Sequence, residues 1–135
     1  MYLAGLDIEK KYLFRELSIH IAKIDGDFSD LEKMVIDAHC LEMNVDNNDY
    51  ESELDFDEVL LKIKEIFDIS ELRMIYLEIV SVILADNIVK SDEKYLLSKI
   101  TDEFGFDNEE ENEAIDILKT LKTVYERMSS FIDVK

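Results

Sequence analysis

Apolar residues along this chain recur every three or four positions, and that period decides most of what the chain can become. Phe14, Leu17, Ile21 and Ile24 step by three and four, which stacks them on one face of a helix. Leu31, Met34, Val35, Ala38 and Leu41 predict a second helix; Phe56, Val59, Leu60, Ile63, Ile66 and Phe67 predict a third. Residues 70–85 are apolar nearly all round, the pattern of a helix buried at the centre of a bundle. Leu96, Leu97, Ile100 and Phe104 mark a fifth helix, and Ala114, Ile115, Leu118, Leu121, Tyr125, Met128 and Ile132 a long last one. No segment sustains the period of two that a half-buried strand shows.

Boundary residues agree with that reading. Ser29 stands three residues before Glu32, the spacing of a capping box, ahead of the second helix. Ser91 and Asp92 open the fifth, and Asn108 with Glu111 has the same box spacing ahead of the sixth. Asn44 and Gly105 suit the left-handed residue on which a helix stops. The 135 residues make one domain, 1–135, and the absence of proline with only three glycines argues against linkers and a many-turned β-protein. The expected fold is all-α, a compact bundle of about six or seven helices.

Sliding the sequence by 61 residues lays 21–46 on 82–107. Asp25 falls on Asp86, Glu32 on Glu93, Lys33 on Lys94, Glu42 on Glu103 and Asp46 on Asp107. Asn44 falls on Gly105, and Val35-Ile36 on Leu96-Leu97. Only five of these 26 positions are identical, so the pattern of residue types carries the match. It predicts two three-helix units, about 7–67 and 68–132, packed about a pseudo-twofold axis. Each is too small to bury its apolar faces alone.

Charge narrows the function. Asp and Glu number 33 against 15 Lys and Arg, a net charge of −18. Direct nucleic-acid binding runs on cationic neutralisation of phosphates, so it is not expected; an anionic membrane surface is disfavoured for the same reason. The stretch 74–85 is too short to span a bilayer and is broken by Glu78 and Ser81. Asp7, Glu9, Lys10 and Lys11 interrupt the signal-peptide pattern at the start. The single Cys40 rules out an internal disulfide and a CxxC zinc site, and fits a reducing, cytoplasmic setting.

The repeated acidic pairs are the chemistry that stands out. Asp25 and Asp86 each follow an apolar helix, where a carboxylate opposes the helix dipole. Glu32 and Glu93 each lie in the first turn of the next helix, seven residues on. A plain structural role explains much of this: an Asx-type bond at Asp25 and a capping box at Glu32. In the second unit, however, Lys90 replaces Ser29 while the seven-residue spacing survives. The other reading is a hard-cation site for Ca²⁺ or Mg²⁺, with Asp25, Asp27 and Glu32 from one loop and Asp86, Asp92 and Glu93 from the other. Asp25-Gly26-Asp27-Phe28-Ser29 imitates the start of an EF-hand loop, but Asp30 and Ile36 stand where that loop needs Gly and Glu.

The segments Lys23-Ile24-Asp25-Gly26-Asp27-Phe28-Ser29-Asp30-Leu31-Glu32 and Leu84-Ala85-Asp86-Asn87-Ile88-Val89-Lys90-Ser91-Asp92-Glu93 resemble the paired Ala-Asp-Gly…Glu signatures of the TerB-like tellurite-resistance family. Ile24 departs from the family's frequent Ala, and Asn87 from its Gly. The resemblance covers most of the chain and implies an all-helical fold with internal pseudo-symmetry. It implies that Asp25, Glu32, Asp86 and Glu93 belong to an acidic cluster suspected of binding divalent cations. It further implies a non-enzymatic role in stress or metal-ion response, with membrane-linked partners.

Other chemistry is thinner. His39 and Cys40 are helix neighbours about 100° apart and do not face each other as a base and nucleophile. His20, beside the first apolar stripe, reads as a hydrogen-bonded interior histidine. The acidic runs 46–58 and 107–113 each precede a helix and read as solvated loops, or as docking surfaces for a basic partner. Two functions stay open: a non-catalytic cation-binding module, and an acidic protein-interaction domain, including a nucleic-acid mimic, that needs no metal.

Overall fold

The computed structural model of the protein describes residues 2–24, 26, 28–85 and 91–133. It is all-helical: α1 (Ile8–Lys23), α2 (Asp30–Met43), α3 (Phe56–Ile66), α4 (Ile69–Ile83), α5 (Ser91–Phe104) and α6 (Asn108–Ile132), with no strand among the described residues. Short 3-10 turns at Leu3–Gly5 and Asn48–Tyr50 complete it.

The helices begin and end by side-chain and backbone capping. Asp7, Ser29, Asp55, Asp68 and Asp107 each accept a first-turn N–H of α1, α2, α3, α4 and α6. Such a cap stabilises a helix by about 1 kcal/mol. Ser29 and Glu32 close the expected capping box. Asp68 with Glu71 and Asp107 with Glu110 form two more. The box of α6 thus sits one residue earlier than the Asn108–Glu111 spacing suggested, because Asp107 holds the extended conformation that a cap requires. At the other ends, Asn44 (φ 56°) and Gly105 (φ 78°) turn left-handed. The N–H groups of Val45 and Phe106 then reach back to the carbonyls of Cys40 and Thr101 at 3.0 and 2.9 Å, the Schellman closure.

α1 and α4 lie side by side and parallel. Lys10 Nζ, near the start of α1, meets Glu71 near the start of α4 at 2.9 Å. At the far ends Ala22 and Val82 share one buried cluster. α2 and α3 pack on α1, α5 and α6 pack on α4, α2 crosses to α4 and α5 to α1. α3 returns antiparallel to α1, so that His20 meets Phe56 edge-on with ring centres 6.0 Å apart. α6 instead runs alongside α4: Arg73 pairs with Glu110 at 2.6 Å near both starts, and Lys122 reaches the Leu84 carbonyl at 3.5 Å near the end. Phe14, Leu17, Ile63, Ile75, Ile79 and Ile100 fill the core between these layers. Each such side chain contributes roughly 1.5–3 kcal/mol through burial.

One expectation about faces needs correction. Most of the expected α2 stripe does not face the core: Leu31, Met34, Ala38 and Leu41 are exposed and only Val35 packs inward, while Glu32, Ile36, His39, Cys40 and Met43 are buried. Two of the buried five are polar and partnered, so the core face is less apolar than the outer one. α4 is buried through Ile75, Tyr76, Ile79, Val80, Val82 and Ile83, and α1 shares the centre with it. α1 is buried without interruption from Leu13 to Ile19, including Arg15, Glu16 and Ser18.

The polar groups of α1 hold the acidic stretch after α2. The Glu16 carboxylate accepts the Glu53 N–H at 3.0 Å, Arg15 donates to the Asp46 carbonyl at 3.1 Å, and His20 Nε2 meets the Leu54 carbonyl at 2.6 Å. Within that stretch Asn48, Asp49 and Tyr50 all have positive φ, a conformation that costs non-glycine residues roughly 1–2 kcal/mol each. Hydrogen bonds offset it: Asn48 N–H to Asp46 at 2.8 Å, Asp49 N–H to Asn47 at 3.0 Å, and the Tyr50 hydroxyl to Asp37 at 2.8 Å. The stretch is therefore a built loop rather than a merely solvated one.

Candidate functional site

Because α1 and α4 run parallel, the segments that follow them leave from one end of the molecule. Ile24, just past α1, lines a pocket with Tyr95 and Leu96 from the first half of α5. The C-terminal dipoles of α1 and α4 add at that end rather than cancel, which makes it more attractive to cations.

Asp25, Asp27 and Asp86 lie outside the described residues. Glu32, Asp92 and Glu93 lie within them. Glu32 is 2% exposed and Glu93 1% exposed, each in the first turn of its helix. One Glu32 oxygen, Oε1, accepts the Ser29 N–H and the Ser29 hydroxyl, both at 3.0 Å. The positive end of the α2 dipole also favours a carboxylate there. A buried carboxylate is costly without such bonds. Asp92 is exposed, so it and Glu93 diverge around α5. Gly26 has φ +77° with open space beyond it, so backbone conformation rather than crowding suits glycine at that corner. Among the described residues, no group of three or more His, Cys, Asp and Glu side chains is arranged to hold a metal ion.

Away from this end, His39 Nε2 of α2 meets Glu78 of α4 at 2.9 Å in a nearly closed interior. Burial pushes the Glu78 carboxyl up, but the hydrogen bond from His39 and nearby positive charge outweigh it and hold it below the ordinary range. This pair was not legible in the sequence, where Glu78 registered only as a break in an apolar run. Its one available signal was a carboxylate inside an otherwise buried helix. The Cys40 thiol is buried and pushed up to about 11, chiefly by desolvation, so it is a poor nucleophile. A cleft of about 590 Å³ beside α1 is lined by Tyr12, Arg15, Glu16, Asp46, Glu53 and Lys62 among others. The Arg15 guanidinium stacks 4.9 Å from the Tyr12 ring centre and pairs with Asp46, while Glu16 is spent on the loop backbone. These partners assign both side chains to holding the 46–55 loop. No helix among the described residues is long and apolar enough to cross a membrane.

Comparison with known proteins returns no relative: no family model matches the chain, no curated protein matches it, and no solved structure matches it.

Proposed function

We propose that the chain is a non-catalytic, TerB-like module that binds a divalent cation, Ca²⁺ or Mg²⁺, at the end where α1 and α4 both finish. The observation that carries this reading is the parallel packing of those two helices, read from the Lys10–Glu71 pair and the shared burial of Ala22 and Val82. The ligands would come from Asp25, Asp27, Asp86 and Asp92, with Glu32 and Glu93 as the buried members of the two sets. Carboxylates gathered at one end repel unless a counter-ion joins them, and carboxylate and carbonyl oxygens suit a hard cation.

The pseudo-twofold repeat belongs to the same proposal. Its support is positional: α1 and α4 begin at Ile8 and Ile69, α2 and α5 end at Met43 and Phe104, and the left-handed caps follow at Asn44 and Gly105. Each pair repeats the spacing of 61 found in the sequence. The third helices depart from it, since α6 begins directly after Asp107 whereas a loop separates Asp46 from α3. A role in stress or metal-ion response with a protein partner follows from the family resemblance, and a cytoplasmic setting from the single Cys40.

The test is thermal melting with EDTA, Ca²⁺ or Mg²⁺, for the wild type and for a variant carrying Asp25→Asn and Asp86→Asn. A ligand at about 100 times its Kd stabilises by roughly 2.7 kcal/mol. The reading expects a cation-dependent rise in Tm that the double variant loses. Equal melting of both proteins in every buffer overturns it.

A second reading is favoured by the exposure of Glu51, Glu53, Asp55, Asp57 and Glu58 along one loop and helix start. These carboxylates suit an acidic docking face for a basic protein, including mimicry of a nucleic acid. Binding of a lysine-rich peptide that weakens steeply with salt, and is lost when Asp57 and Glu58 are neutralised, would favour it over the cation site.

A further inference from the structure

α6 is longer than the bundle it packs on. It spans 25 residues, about 38 Å at 1.5 Å per residue. Its first half is anchored by the buried Ala114 and by Ile115 and Leu118 against the core. From Thr123 to Asp133 every residue is exposed. From half-buried Leu121 outward the helix carries a continuous apolar stripe of Leu121, Val124, Met128 and Phe131, the last 85% exposed. A helical segment of this length is marginal in water without something to pack against.

A second unpartnered stripe lies on the outer face of α2: Leu31, Met34, Ala38 and Leu41, with Leu41 83% exposed. The two stripes share one spacing, steps of three, four and three residues. That is the seam spacing by which two helices interlock knobs into holes. Their charges are complementary in part. Arg127 flanks the α6 stripe, with Glu126 beside it, in a chain of net charge −18; exposed Asp30 and Asp37 flank the α2 stripe, where Lys33 lies near Asp30.

We propose that the occupant of each stripe is the other stripe in a second copy of this chain. The α6 overhang of one copy lies along α2 of its partner, and the contact repeats reciprocally about a two-fold axis. The directions are compatible. α6 projects past the end of α4, the end at which α2 begins, so copies meeting end to end lay each overhang along α2 in the same sense. The area suffices too. Phe131 and Tyr125 are aromatic side chains that bury roughly 150–250 Å² each when covered. With Val124, Met128 and the α2 stripe, each copy covers on the order of 800 Å², the standard share per partner of a specific interface.

Sedimentation of the full chain over a micromolar concentration series tests this, with single variants Leu41→Glu and Phe131→Glu. Both positions are exposed, and melting curves taken at a dilution where the wild type is monomeric verify that the variants stay folded. The wild type is expected to approach twice the 15.8 kDa monomer mass, and each variant to remain monomeric. An equimolar mixture of the two variants recovers part of the dimer, because one of its two reciprocal contacts is intact. A wild type that is monomeric throughout overturns the proposal. So does a dimer that survives Leu41→Glu while Phe131→Glu breaks it, which would place α6 against α6. Flotation of a monomeric wild type with phosphatidylcholine–phosphatidylserine vesicles would overturn it in favour of a lipid surface.

Discussion

His39 on α2 and Glu78 on α4 form a 2.9 Å pair between two helices that the sequence separates by a loop, a helix and a second turn. The pair ties the outer helix of the first half to the central helix of the second. Hydrogen bonds to a charged group contribute about 1.5–3 kcal/mol, so Glu78→Ala is expected to lower stability by about that amount, with more from the lost packing. Urea unfolding at pH 7 measures it.

The same pair sets a pH dependence. The folded Glu78 carboxyl lies below its ordinary 4.5. Its ionised form therefore stabilises the fold above that pH, and the contribution fades as the pH falls through the lower folded value. As the pH falls below 4.5, the stability of Glu78→Gln should fall less steeply than that of the wild type. Parallel slopes in that window would refute the assignment.

Cys40 offers a probe of global opening. Its thiol is 4% exposed and pushed up to about 11, so little thiolate exists at pH 8. Alkylation by iodoacetamide should be slow in the folded protein and accelerate in step with unfolding by urea. Fast labelling without denaturant would contradict the burial.

Asn44 and Gly105 occupy matching left-handed caps, and opposite substitutions should act in opposite directions. Gly105→Ala is expected to cost about 1–2 kcal/mol, since a Cβ strains that conformation although space for it is open. Asn44→Gly should be neutral or stabilise by a few tenths of a kcal/mol. Thermal melting of the two variants compares them directly.

The face of α2 can be tested by truncation. Ile36→Ala empties a fully buried site and should cost about 2–4 kcal/mol. Leu31→Ala, on the outer face, should change the unfolding free energy of dilute monomer by less than about 0.5 kcal/mol. The opposite order would restore the stripe expected from the sequence.

Helix number and most ends were legible because they depend on local rules. Ser29 with Glu32, Asn44 and Gly105 each act within a turn of their own position. Orientation around α2 was not legible, because it depends on partners far along the chain. Glu32 is buried where Ser29 caps it, and His39 is buried because Glu78 arrives from α4. Leu31, Met34, Ala38 and Leu41 outweigh those residues on any hydropathy count and yet face outward. Arg15 and Glu16 hid the central place of α1 in the same way: their partners, Asp46 and Glu53, sit in a loop that looked merely acidic. Of the candidate site, the sequence carried the repeated Asp and Glu positions, and the parallel packing of α1 and α4 supplied the end at which their segments leave.

That parallel pair also governs how the protein folds. Neighbouring helices that point the same way cannot be joined by a tight turn, so α1 and α4 meet only after α2 and α3 have been threaded between them. Contacts so distant along the chain form late and slow the search. Each central helix then completes its burial against the other half. A chain cut between α3 and α4 should accordingly yield two fragments that stay largely unfolded apart and gain structure only on mixing, while the intact protein melts in a single cooperative step.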